Sequence, residues 1–80
     1  MKAINTEKAP AAVGPYVQAI ATENLVFTSG QLSINPENGE LVTEIKAAAK
    51  QSLENVKAIL EEAGTSMDKV IKCTVFLADI

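Results

Sequence analysis

The stretch that decides the fold is TEIKAAAKQSLENVKAILEEAG, residues 43–64. Ile45, Ala49, Leu53, Val56, Leu60 and Ala63 recur at three- and four-residue steps, the spacing that lays one apolar stripe along an α-helix. Lys46, Lys50, Glu54, Lys57 and Glu61 fall on the other side as a solvated face. Thr43 is placed to cap the first turn, and Glu44 follows it where a negative charge is favourable. Gly64 stands where the helix should end in a left-handed residue. About 20 helical residues span roughly 30 Å, enough to cross a small sheet.

Beyond the helix, residues 69–77 read as a strand. Ile71, Cys73, Val75 and Leu77 point one way, towards the helix; Val70, Lys72, Thr74 and Phe76 point the other. That second face is only partly polar, and one helix cannot cover both faces of a sheet, which points to oligomerisation. On the N-terminal side, residues 2–6 suit an edge strand, and Pro10, Gly14 and Pro15 make 7–15 an irregular loop. Residues 17–22 and 25–29 form a hairpin about Glu23-Asn24 that ends at Gly30. Asn35-Pro36-Glu37-Asn38-Gly39 is the strongest turn signal, since Pro presets φ and Asn-Gly accepts positive φ. The order β-β-β-α-β predicts a two-layer α+β fold, one domain over 1–80. No second helix follows the last strand, so the domain is expected to be C-terminally incomplete.

Composition narrows the chemistry. The chain is 48% hydrophobic with four Gly and three Pro, so it should fold, although 80 residues bury only a thin core. Its formal charge is −3, and its seven basic residues are all Lys, scattered along the chain, which disfavours nucleic acid as a partner. There is no His to titrate near neutrality and no Arg to fork onto a carboxylate. One Cys without His makes neither an internal disulfide nor a zinc site, and Cys73 between Ile71 and Val75 reads as a buried, inert thiol. Neither a signal peptide nor a membrane span is evident, and a cytoplasmic location is expected. Gly14, Gly30, Gly39 and Gly64 are isolated and form no phosphate loop. Ser29 lacks a base partner, which argues against a nucleophilic triad.

Three runs together carry a resemblance. The first is Ala11-Ala12-Val13-Gly14-Pro15-Tyr16-Val17-Gln18-Ala19, and the second is Phe27-Thr28-Ser29-Gly30-Gln31-Leu32. The third extends from Gln51-Ser52-Leu53-Glu54-Asn55-Val56 through Ala63-Gly64 to Lys72-Cys73-Thr74-Val75-Phe76-Leu77. In this order and spacing they resemble the Rid family (YjgF-type) of reactive-intermediate deaminases. The resemblance implies a chorismate-mutase-like α+β fold and a homotrimer with sites in the clefts between subunits. It also implies hydrolysis of 2-iminobutanoate- or 2-iminopropanoate-like imino and enamino acids to keto acids and ammonia, without cofactor or metal.

Tyr16, Ser29 and Gly30 match positions that line the family's pocket. Gly30 lets backbone N–H groups approach a substrate oxygen, Ser29 can hydrogen-bond the substrate, and the Tyr16 phenol can position water. Against these stand plainer readings: Tyr16 as a cap on the core, and Ser29-Gly30 as a bulge or turn. The family's carboxylate-binding Arg and water-orienting Glu belong to later strands, and this sequence ends before them. The 80 residues alone are therefore expected to be inactive. The alternative from another class is a non-catalytic, chaperone-like or protein-interaction module on the same trimeric scaffold.

Overall fold

The computed structural model describes residues 2–12 and 17–75. Three short antiparallel strands, β1 (Lys2–Ile4), β2 (Ala19–Ala21) and β3 (Val26–Thr28), form a sheet in the order β1-β2-β3. The β2–β3 hairpin turns at Glu23-Asn24 as the sequence predicts, with the Thr22 N–H donating to Leu25 O at 2.8 Å. The strands are shorter than the β-branched runs suggest.

Register sorts the side chains into two faces. Ile4, paired with Ala19, points to the helix α1 (Ile45–Glu62), where both are buried with Ala9 and Ile59. Ala21, Val26, Ala58 and Ala63 pack around that cluster. The opposite face carries the aligned row Ala3, Ile20 and Phe27, and Phe27 is 60% exposed. The result is a two-layer α+β arrangement with one sheet face open among the described residues.

Both ends of α1 have a definite physical cause. At the start, Glu44 and not Thr43 is the cap: its extended backbone (ψ 132°) brings its carboxylate Oε2 to accept from the Ala47 N–H at 2.8 Å. An acceptor must reach an N–H within the first turn, and Thr43 stands one residue too far out. At the other end Gly64 adopts φ +88°, its N–H donates to Glu61 O at 3.1 Å, and the Thr65 N–H donates to Leu60 O at 3.0 Å. These two bonds make a Schellman motif, as the glycine predicts.

Three further expectations are corrected. The buried side of α1 runs through Asn55, Ile59 and Leu60, while Ile45, Ala49 and Leu53 of the predicted stripe are exposed. The helix is turned so that the Asn55 amide meets the chain beyond β3, a polar contact that apolar spacing does not register. The last strand is also absent from the described part of 69–77. Met67–Lys69 is a 3-10 turn, and residues 70–75 carry no strand pairing, with Ile71 86% exposed. A strand persists by hydrogen bonding to neighbours, and no neighbour reaches these residues. Cys73, expected to be buried, is accordingly exposed. Phe76 and Leu77 lie outside the described residues.

Candidate functional site

Ser29 and Gly30 follow β3 directly, opposite Gln18, which precedes β2. The Ser29 N–H and the Ser29 hydroxyl both donate to Gln18 O, at 2.8 and 3.1 Å. Gln31 Nε2 in turn donates to Ser29 Oγ at 3.2 Å. The hydroxyl is thus fixed on both sides by neutral groups, and no base touches it, so it is a positioned polar group without the means to act as a nucleophile. Gly30 is exposed, and a methyl group built on it would meet nothing within 4 Å. Its φ lies outside the left-handed region occupied by Gly39 and Gly64. The space beside its backbone is open. Tyr16, the third expected site residue, lies outside the described residues.

Two buried amides bracket this turn. Gln18, 2% exposed, accepts from the Thr6 N–H at 2.5 Å through Oε1. Its Nε2 donates to Pro10 O (2.7 Å), Thr6 O (3.1 Å) and Ala9 O (3.3 Å). One side chain therefore ties residues 6–10 to the sheet. Asn55, fully buried on α1, donates from Nδ2 to Leu32 O at 3.0 Å and Ile34 O at 2.9 Å, and accepts from Gln51 Nε2 at 2.9 Å. The main-chain O of Gln18 pairs with Ser29 while its amide holds residues 6–10, and Asn55 holds the chain after the turn. Both stand in the runs that carry the family resemblance, but the sequence assigned neither a structural role. The signal for Asn55 was its place four residues before Ile59 and eight before Ala63, on the line that faces the sheet.

Beyond Asn55's acceptors, residues 33–42 close as a hairpin. The Ser33 hydroxyl donates to Val42 O at 2.6 Å, and Ile34 bridges Leu41. The Asn35–Gly39 reversal holds as the sequence predicts, with the Gly39 N–H donating to Asn35 O at 2.8 Å and Gly39 at φ +73°. Two shallow hollows flank the molecule. One of about 230 Å³ is bordered by Asn5, Thr6, Glu7 and Gln18, and one of about 210 Å³ by Lys8, Gln51, Asn55 and Lys57. Ser29 and Gly30 line neither. Among the described residues no group of three or more His, Cys, Asp or Glu could hold a metal ion, and no buried side-chain N or O lacks a hydrogen-bond partner.

The family model described as endoribonuclease L-PSP matches residues 6–80. The chain belongs to the L-PSP (YjgF/Rid) family. It is 58% identical over 77 residues to a RutC family protein of Haemophilus influenzae, an alignment covering 96% of this chain and 59% of that protein. It is 51% identical over 79 residues to the 2-iminobutanoate/2-iminopropanoate deaminase of Escherichia coli K12, covering 99% of this chain and 62% of that enzyme. The crystal structure of RidA from an Antarctic Psychrobacter species superposes with a TM-score of 0.84 at 51% identity, over 89% of this chain and 58% of that one. The fold is therefore the YjgF/L-PSP fold, and the chain spans about three-fifths of the length of these relatives. Among the described residues no helix is long and apolar enough to cross a membrane.

Proposed function

We propose that this L-PSP family chain is part of a deaminase that hydrolyses 2-iminobutanoate, 2-iminopropanoate and their enamine tautomers to 2-keto acids and ammonia. The observation that carries the reading is 51% identity to the Escherichia coli deaminase across 99% of this chain. Water adds to the imine carbon, and the resulting amino alcohol expels ammonia. Such a reaction asks for an oriented substrate and a placed water more than for a strong nucleophile. The Ser29-Gly30 turn suits that demand, since its hydroxyl is locked and its backbone is open on one side. Ser29 and Gly30, with Tyr16, are the residues we assign to the substrate.

The acting unit in this proposal is a cytoplasmic homotrimer with its sites between subunits, taking a small imino acid and no nucleic acid. The sheet face left open among the described residues supports association. In the family a later Arg binds the substrate carboxylate and a later Glu orients the water; these 80 residues contain no Arg. We accordingly propose that they turn over no substrate by themselves. Threonine dehydratase can generate 2-iminobutanoate, with semicarbazide trapping it as an ultraviolet-absorbing semicarbazone. Loss of the adduct when the native-gene product is added supports deamination; an unchanged yield with that product sinks it.

A further inference from the structure

We infer that Asn38 is a site of spontaneous covalent modification, cyclising with the Gly39 backbone nitrogen to a succinimide that hydrolyses to aspartate and isoaspartate. The inference is independent of the proposed deaminase activity. It rests on what surrounds Asn38. Asn38 and Gly39 are both exposed, and the position of a Cβ on Gly39 is open space, so no side chain crowds the Gly39 nitrogen. Asn38 Oδ1 accepts from the Glu40 N–H at 2.9 Å. That bond folds the carboxamide back over the Gly39 peptide, and it places a donor on the oxygen that becomes negative as the tetrahedral intermediate forms. The Gly39 N–H donates to Asn35 O at 2.8 Å and has to be released first, an opening of low cost in an exposed turn.

The other asparagines lack this combination. Pro36 after Asn35 has no N–H to lose. Asn55 is fully buried, with its Nδ2 held by two carbonyls. After Asn5 the Thr6 N–H is tied to the buried Gln18. After Asn24 the Leu25 N–H is tied to Thr22 Oγ1, and Leu25 carries a branched side chain.

In the reaction solvent hydroxide takes the Gly39 amide proton, the nitrogen bonds to Asn38 Cγ, and the side-chain nitrogen leaves as ammonia. Water then opens the ring. Attack at the side-chain carbonyl gives aspartate, and attack at the main-chain carbonyl gives isoaspartate. Either product adds one negative charge to the formal −3. The isoaspartyl form also inserts a methylene into the main chain, between atoms that bond Asn35 to Gly39 and to Glu40. The hairpin arm that presents Leu32 O and Ile34 O to Asn55 loosens with it.

The test is incubation of the full chain at mildly alkaline pH in oxygen-18 water. Aliquots are then peptide-mapped, with fragmentation that separates isoaspartate from aspartate. The expected result is conversion at Asn38 ahead of every other asparagine, at a rate proportional to hydroxide, with label in both products. N38Q, which would need a larger ring, is expected to lose the acidic species on isoelectric focusing. Conversion that starts at Asn5 or Asn24, or an acidic species of undiminished yield in N38Q, overturns the inference.

Discussion

Removing the Asn55 amide should cost this chain more than removing any exposed helix residue. In Asn55→Ala the two bonds from Nδ2 to Leu32 O and Ile34 O disappear, and two part-buried carbonyls are left facing a methyl group. Each stranded acceptor costs about 1–1.5 kcal/mol, so the loss should be roughly 2–3 kcal/mol. For a domain of this size that is a large share of a total near the lower end of about 5–15 kcal/mol. With a urea slope of about 1 kcal/mol per molar, the midpoint should fall by about 2–3 M.

Asn55→Asp separates donor from shape. It keeps an oxygen for Gln51 Nε2 but turns a second, charged oxygen towards the two carbonyls, so it should be less stable than Asn55→Ala. Its deficit should lessen in acid, where the carboxyl is neutral and can donate once. The sign follows from linkage: burial among acceptors raises the folded-state pKa, so stability is present at low pH and is lost as pH rises through that value. The assay is urea unfolding followed by helical circular dichroism, at one protein concentration because association shifts the midpoint. An Asn55→Asp chain as stable as the wild type, or an Asn55→Ala loss below about 0.5 kcal/mol, would refute the anchoring argument.

Other substitutions test other joints. Gln18→Ala frees residues 6–10 from the sheet and should cost about 1–3 kcal/mol, with limited proteolysis cutting first in that loop. Glu44→Ala should cost about 1 kcal/mol by thermal melting, while Thr43→Ala changes nothing, since only Glu44 caps the helix. Gly64→Ala forces a side chain into φ +88° and should lower stability by about 1–2 kcal/mol, although there is room for the added methyl group.

What the sequence made legible divides by physical range. The Gly64 stop, the Asn35–Gly39 reversal and the turn at Glu23-Asn24 are local, set by φ preferences and by bonds reaching only a few residues, and they stand where their residues put them. The helix itself was equally plain, because propensity and amphipathic spacing agree over its 18 residues. Its rotation was not plain. Ile45 and Leu53 look like core on periodicity, yet the arc that faces the sheet carries Ile59 and Leu60 together with Asn55, bonded to carbonyls more than twenty residues away. The run 69–77 has the composition of a strand, but composition supplies no hydrogen-bonding neighbour, and 70–75 stay unpaired. At the candidate site the motif pointed to Ser29 and Gly30. It could not say that the Ser29 hydroxyl would be held between Gln18 O and Gln31 Nε2.

The two buried amides explain how so thin a core can still place a turn. Apolar burial is non-directional: Ile4, Ala9, Ala19 and Ile59 would gain nearly as much in several neighbouring packings. Strands of three residues add few ladder bonds to choose among them. Gln18 and Asn55 make that choice. Each spends its amide on main-chain groups of a different segment, and a shift of about an ångström would leave buried polar atoms unpaired at about 1–3 kcal/mol apiece. Since the Ser29-Gly30 turn lies between the segments they hold, its position is set by hydrogen-bond geometry more than by apolar packing. A substitution that preserves volume but not amide chemistry, such as Gln18→Met, should therefore displace the turn while leaving most of the apolar burial intact. Backbone amide chemical shifts of Ser29, Gly30 and Gln31 would report it; unmoved shifts in Gln18→Met would show that packing alone is enough.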